Sequence, residues 1–205
     1  TLMSSTKARE AFDLSQESME TRKRYGMNKF GQSCLLARRL IERGVRFVTI
    51  NMFETVFNEI TWDIHGSAPF TPIEAYKTLC GPWFDNGYAS LVEDLAQRGL
   101  YDNTIVTAMG EFGRTPWLNT SRGRDHYPDA WSLAMAGAGI KKGVVVGATD
   151  KDGVDVVEKP FNEKNLFATI FTALGIDPYT EYDAPDIATF YRVEDHAQPI
   201  REILA

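Results

Sequence analysis

Cysteine and histidine are scarce in this 205-residue chain, with two of the first and three of the second. Cys34 and Cys80 have no metal-like or redox-motif spacing, which excludes a cysteine-rich metal scaffold. Cys34 lies in the apolar string Cys34-Leu35-Leu36-Ala37, where a buried free thiol is expected. A disulfide to Cys80 in an oxidising compartment is the alternative. Positive charge is also short: 22 Lys and Arg against 28 Asp and Glu leave a net charge of −6. No general nucleic-acid binding is expected from such a balance. An anionic small substrate stays compatible with it, because local arginines or a metal decide that. Long hydrophobic runs are missing too. None approaches the ~20 apolar residues that cross a bilayer, so no membrane span is expected. No secretion signal is visible, in a sequence that opens on Thr1.

What is present has an ordinary globular balance, 43% hydrophobic and 24% charged. At this length it supports one domain, residues 1–205, with a substantial core. The first 26 residues are polar and helix-prone. Ser15 is a candidate cap, Glu17 and Glu20 sit early, Arg22, Lys23 and Arg24 sit late, and Gly26 stops the helix. A helix over 28–43 buries Leu35, Leu36 and Leu40 and ends at Gly44. Residues 45–50 read as a strand and 51–71 as a long loop. Pro82 starts a helix with the stripe Tyr88, Leu91, Val92 and Leu95, ending at Arg98-Gly99. Residues 104–109 read as a strand covered on both faces, 110–128 as a loop, and 131–136 and 144–147 as strands. A last helix carries Leu166, Phe167, Ile170, Phe171 and Leu174. Alternating helices and strands predict an α/β fold with a mainly parallel sheet and ligands beyond the strand ends.

The chemistry-bearing residues fall in the loops. Asp63-Ile64-His65-Gly66 and Arg124-Asp125-His126-Tyr127-Pro128 each put a carboxylate beside an imidazole, a donor mixture suited to Zn²⁺ or Mn²⁺. Glu111 follows a strand in Gly110-Glu111-Phe112-Gly113-Arg114, placed to meet a cation, and Arg114 offers a planar fork to an oxyanion. An internal Glu111–Arg114 salt bridge is the plainer reading. Arg124 either orients Asp125 or binds substrate. Arg122 reads as a solvated charge, His196 as exposed, and 137–143 as a turn rather than a phosphate loop. Trp62, Trp117, Tyr127 and Trp131 flank these loops as core or rim packing, with ring stacking on a sugar as the minor alternative.

Six segments carry a family resemblance: 31–40 (GQSCLLARRL), 62–66 (WDIHG), 93–100 (EDLAQRGL), 109–116 (MGEFGRTP), 123–128 (GRDHYP) and 173–178 (ALGIDP). Together they resemble the sulfatase-like family of domain of unknown function 1501 over nearly the whole chain. That family is similar to the alkaline phosphatase and sulfatase superfamily. The resemblance implies a doubly wound α/β fold with helices on both faces of a mainly parallel sheet. It implies metal-dependent hydrolysis of sulfate or phosphate esters, small-molecule or saccharide. A divalent ion (Zn, Mn or Ca) is expected on Asp63, His65, Glu111, Asp125 and His126. Arg114 and His126 are expected to be catalytic, His126 as acid if it is not a ligand, and Arg114 and Arg124 to bind substrate. Two departures stand out: Glu111-Phe112 replaces the usual Asp followed by His or Asn, and Asp63 and His65 are unusually close. The nucleophile-bearing segment is not evident, so the chain is expected to be a carboxyl-terminal portion, incomplete at the amino end and pairing with a missing amino-terminal segment. The resemblance also points to a periplasmic or secreted protein. A non-catalytic module binding an anionic ligand or a protein partner is the alternative, and phosphoryl transfer a third.

Overall fold

Local helix signals are obeyed closely in the computed structural model, which describes residues 6–52, 60–184 and 188–205. A short α1 (Thr6–Phe12) precedes α2 (Met19–Tyr25), which Gly26 terminates with a positive φ of 96°. The cap of α2 is Ser18, whose hydroxyl accepts from the Thr21 amide at 3.0 Å. Ser15 is unavailable for that role, because Asp13 holds it in a separate 3-10 turn, Leu14–Gln16. In α3 (Lys29–Glu42) the Asn28 side chain accepts from the Gly31 amide at 2.9 Å. A π-helical turn, Tyr76–Cys80, leads into α4 (Gly81–Gln97), with Pro82 in its first turn where no amide donor is needed.

Contacts divide the chain into two units: Thr1–Leu100 with Trp117–Asp125, and Tyr101–Pro116 with His126–Ala205. In the first unit, α1 to α4 pack on one another and bury Tyr25, Cys34, Leu35, Leu91 and Leu95. Both cysteines are free thiols and buried. This core is not purely apolar. Arg38, 1% exposed, forms ion pairs with Glu17 at 2.8 Å, Glu42 at 2.7 Å and Asp94 at 2.8 Å. Arg39 also pairs with Glu17, and its Nε donates to the Ala11 carbonyl at 3.0 Å. Tyr25 donates its hydroxyl proton to Asp94 at 2.9 Å. Charges this deep are tolerated only when paired and hydrogen-bonded, and here each carboxylate faces a guanidinium.

The second unit is built from short ladders. β1 (Ile105–Ala108) pairs with β4 (Ala134–Gly137), with Ile105 opposite Gly137 and Ala108 opposite Ala134. β2 (Gly113–Arg114) pairs with β3 (His126–Tyr127), and β5 (Ala148–Thr149) with β6 (Val156–Glu158). β7 (Glu181–Ala184) and β8 (Ala188–Tyr191) form a hairpin. α5 (Glu163–Ala173) starts with a reciprocal cap between Asn162 and Asn165 and buries Leu166, Ala168 and Thr169. Thr169 accepts the Ile200 amide at 2.8 Å, tying the carboxyl-terminal segment to the helix.

The expected parallel, doubly wound sheet is not what forms. Among the described residues, every ladder is two-stranded and antiparallel. Residues 45–50 are assigned to no strand, and Phe47 is 84% exposed. The apolar run 144–147 likewise stays outside a ladder, with Val145 93% exposed, and pairing begins only at Ala148. A β-branched run fits a pleated surface, but only a hydrogen-bonded partner makes it a strand. Helix–strand alternation does not name that partner. For β1 the neighbour is the antiparallel β4, and β1 is half-buried along its length rather than covered on both faces.

Candidate functional site

The first unit contains a tightly braced segment over 61–71. The Thr61 amide donates to Thr71 Oγ1 at 2.9 Å, and the Asp63 amide to Thr61 Oγ1 at 3.2 Å. The Thr71 amide returns to the Asp63 carbonyl at 2.8 Å. Tyr76 donates to the Trp62 carbonyl, and the Trp62 ring meets Tyr76 edge-on at 4.8 Å. Cys80 Sγ donates to the Thr61 carbonyl at 3.3 Å. The loop is thus braced internally and, through Tyr76 and Cys80, by the helical turn entering α4.

Within that frame Asp63 and His65 meet. Asp63 is 6% exposed, and one of its carboxylate oxygens is hydrogen-bonded to His65 Nδ1. The His65 ring lies 4.9 Å from that of Phe70. A carboxylate beside Nδ1 favours the tautomer that carries its proton there and orients the ring.

A second loop, 119–125, closes on this one by backbone. The Arg124 amide donates to the Ile64 carbonyl at 2.7 Å. A Cβ on Gly66 would lie 2.3 Å from the Ser121 carbonyl oxygen, and one on Gly123 would lie 2.2 Å from the His65 carbonyl carbon. Gly66 also has φ 105°. Only glycine fits at either position. Asn119, which sequence reading did not single out, is the polar centre of the closure. Its Oδ1 accepts from the Ser121 and Gly123 amides at 2.9 and 3.0 Å. Its Nδ2 donates to the His65 carbonyl at 3.2 Å and to Asp125 Oδ1 at 2.8 Å. The available signal was an Asx-turn: Asn two residues before Ser, ahead of Arg122-Gly123. Arg122 adopts the left-handed φ of 58° in this turn and is exposed.

The remaining candidates belong to the second unit. Arg114 and His126 are direct cross-strand partners in the β2–β3 ribbon. The Phe112 ring stacks on His126 at 3.9 Å, and the Arg114 guanidinium lies 5.6 Å from the same ring. A Cβ on Gly113 would meet the Ala130 carbonyl oxygen at 1.9 Å, so this ribbon also depends on close backbone approach. Glu111 is exposed in the bend before β2. Tyr127 donates to the Val154 carbonyl at 3.0 Å. His196 is exposed, as expected, and its ring lies against Tyr179 and Tyr191.

A family model matches the chain over residues 1–204, under the description "Protein of unknown function (DUF1501)". The chain belongs to this family. No curated protein and no solved structure matches it. Membership of this family assigns no activity.

The structure joins Asp63 to His65, joins Asp125 to the His65 backbone through Asn119, and joins Arg114 to His126 across a ribbon. Arg124 meets the His65 loop through its main chain. Among the described residues, no three His, Cys, Asp or Glu side chains stand together to hold a metal ion. Among the described residues there is also no helix long and apolar enough to cross a membrane.

Proposed function

We propose that this chain takes part in hydrolysis of sulfate or phosphate esters, with the Asp63–His65 pair as its proton-handling element. The observation that carries this reading is a buried carboxylate bonded to His65 Nδ1 in a loop braced on both sides. With Nδ1 engaged, His65 Nε2 is the atom that takes a proton from an attacking water or hydroxyl. Asp63 then faces the imidazolium that results, in surroundings where its charge is little screened by water. The similarity of this family to the alkaline phosphatase and sulfatase superfamily supports the choice of ester. The divalent ion expected there rests on that resemblance alone, and the steps given to Asp63 and His65 do not pass through it.

The test is turnover by the full-length protein on chromogenic aryl phosphates and aryl sulfates, with and without added Zn²⁺, Mn²⁺ or Ca²⁺. Asp63→Asn should lower kcat by about 10²- to 10⁴-fold, the usual contribution of general acid–base catalysis. Unchanged kcat in a folded Asp63→Asn protein would remove the dyad from the mechanism. Absence of turnover on every ester and metal would remove hydrolysis.

The β2–β3 ribbon favours a second reading, a non-catalytic module that binds an anionic ligand. Arg114 and His126 sit opposite each other with Phe112 against both, and a guanidinium beside an imidazole offers donors to sulfate or phosphate. Calorimetric titration with inorganic sulfate and phosphate separates the readings. Binding lost in Arg114→Ala, without ester turnover in the parent, would favour the module.

A further inference from the structure

We infer that Asn119 is a positioning residue of the Asp63–His65 site, and that its amide presents the Asp125 carboxylate to the loop that carries His65. This rests on the dyad reading and adds a second carboxylate to it. The two ends of one amide are used for different tasks. The oxygen of Asn119 shapes its own turn, accepting from Ser121 and Gly123. The nitrogen reaches out of the turn, to the His65 carbonyl at 3.2 Å and Asp125 Oδ1 at 2.8 Å. An Asn kept only to form a turn has no use for the second pair of bonds. A donor to a carboxylate is also the stronger kind of hydrogen bond, so Asp125 is held although it is exposed. The main chain adds to the registration, with Arg124, next to Asp125, donating to the Ile64 carbonyl at 2.7 Å. The seat where Gly123 meets the His65 carbonyl carbon leaves no room for the loops to slide. One side chain therefore ties the Asp125 carboxylate to the backbone of His65.

The chemistry suggests a substitution that splits the two tasks. Asn119→Asp keeps an oxygen for the Ser121 and Gly123 amides but removes the donor and sets like charges at 119 and 125. The readout is NMR of the whole chain: the ring nitrogens of His65, the Gly66 amide, and hydrogen exchange of the Asn119 side-chain protons in the parent. Asn119→Asp should displace the His65 and Gly66 signals. Adding Asp125→Asn should return them towards the parent, because an amide at 125 can then donate to the carboxylate at 119. If Asn119→Asp fails to fold, Asp125→Ala serves instead, since it removes an exposed side chain. It should speed exchange of the Asn119 side-chain protons by about tenfold, the loss of one hydrogen bond. Signals of His65 and Gly66 that stay in place in folded Asn119→Asp, or Asn119 exchange unchanged in Asp125→Ala, would overturn the inference. These signals do not depend on turnover. If no ester is hydrolysed, the functional proposal fails while the positioning role can still stand.

Discussion

At the residue scale, the polar core around Arg38 and the two sealed thiols make the firmest predictions. Arg38 faces Glu17, Glu42 and Asp94 at 1% exposure. Truncating it strands three carboxylates, two of them largely buried, so Arg38→Ala should cost about 3–5 kcal/mol in urea unfolding. A loss of less than about 1 kcal/mol would mean that these carboxylates find water readily. Burial pushes the Cys34 thiol up to about 12, and burial also raises that of Cys80. A thiol-specific chromogenic reagent at pH 8 should therefore leave both unmodified until the chain is denatured. Prompt native-state labelling would contradict the packing. Single residues were also where the site was most legible. Asp63 and His65 announce themselves by type and proximity. Asn119 does not, because an Asn in a loop reads as a turn former, and its bonds to His65 and Asp125 exist only once two distant loops close.

Helices and strands are unequally legible in the sequence. α3, α4 and α5 follow from local features: Asn28 and Asn162 as caps, Pro82 in a first turn, and glycines beyond the carboxyl ends. Caps act within a few residues, so a sequence displays them directly. Asn162→Ala should accordingly lower stability by about 1 kcal/mol, seen as a reduced thermal midpoint, with Asn162→Ser close to the parent. Equal losses from both would show that the amide, not its capping oxygen, matters there. Strands depend on distant partners. Residues 45–50 and 144–147 have strand-like composition and no ladder, whereas Ala148–Thr149 and His126–Tyr127 pair despite weaker patterns. Element order leads to the expectation of a parallel sheet, but order does not carry the direction of pairing.

For the molecule as a whole, acid should be the weak side. Burial works against ionisation of Glu17 and Asp94, but their hydrogen bonds and charges outweigh it. Arg38 and Arg39 hold the Glu17 carboxyl below its usual range. Arg98, Tyr25 and Arg38 do the same for Asp94. A folded-state pKa below the unfolded value means that the stabilisation is complete above the ordinary carboxylate range of about 4. It is lost as pH falls through that range towards the depressed folded values. Stability measured by urea titration should thus be level near neutrality and drop below pH ~4, with a flatter drop in Arg38→Met. An equal slope in that variant would place the acid sensitivity elsewhere. A last consequence concerns Gly66 and Gly123, where main chain lies directly against main chain. Any saturation library covering both codons, selected only for folded protein, should return glycine twice. What is demanded there is room, and room is indifferent to whichever substrate the experimenter happens to choose.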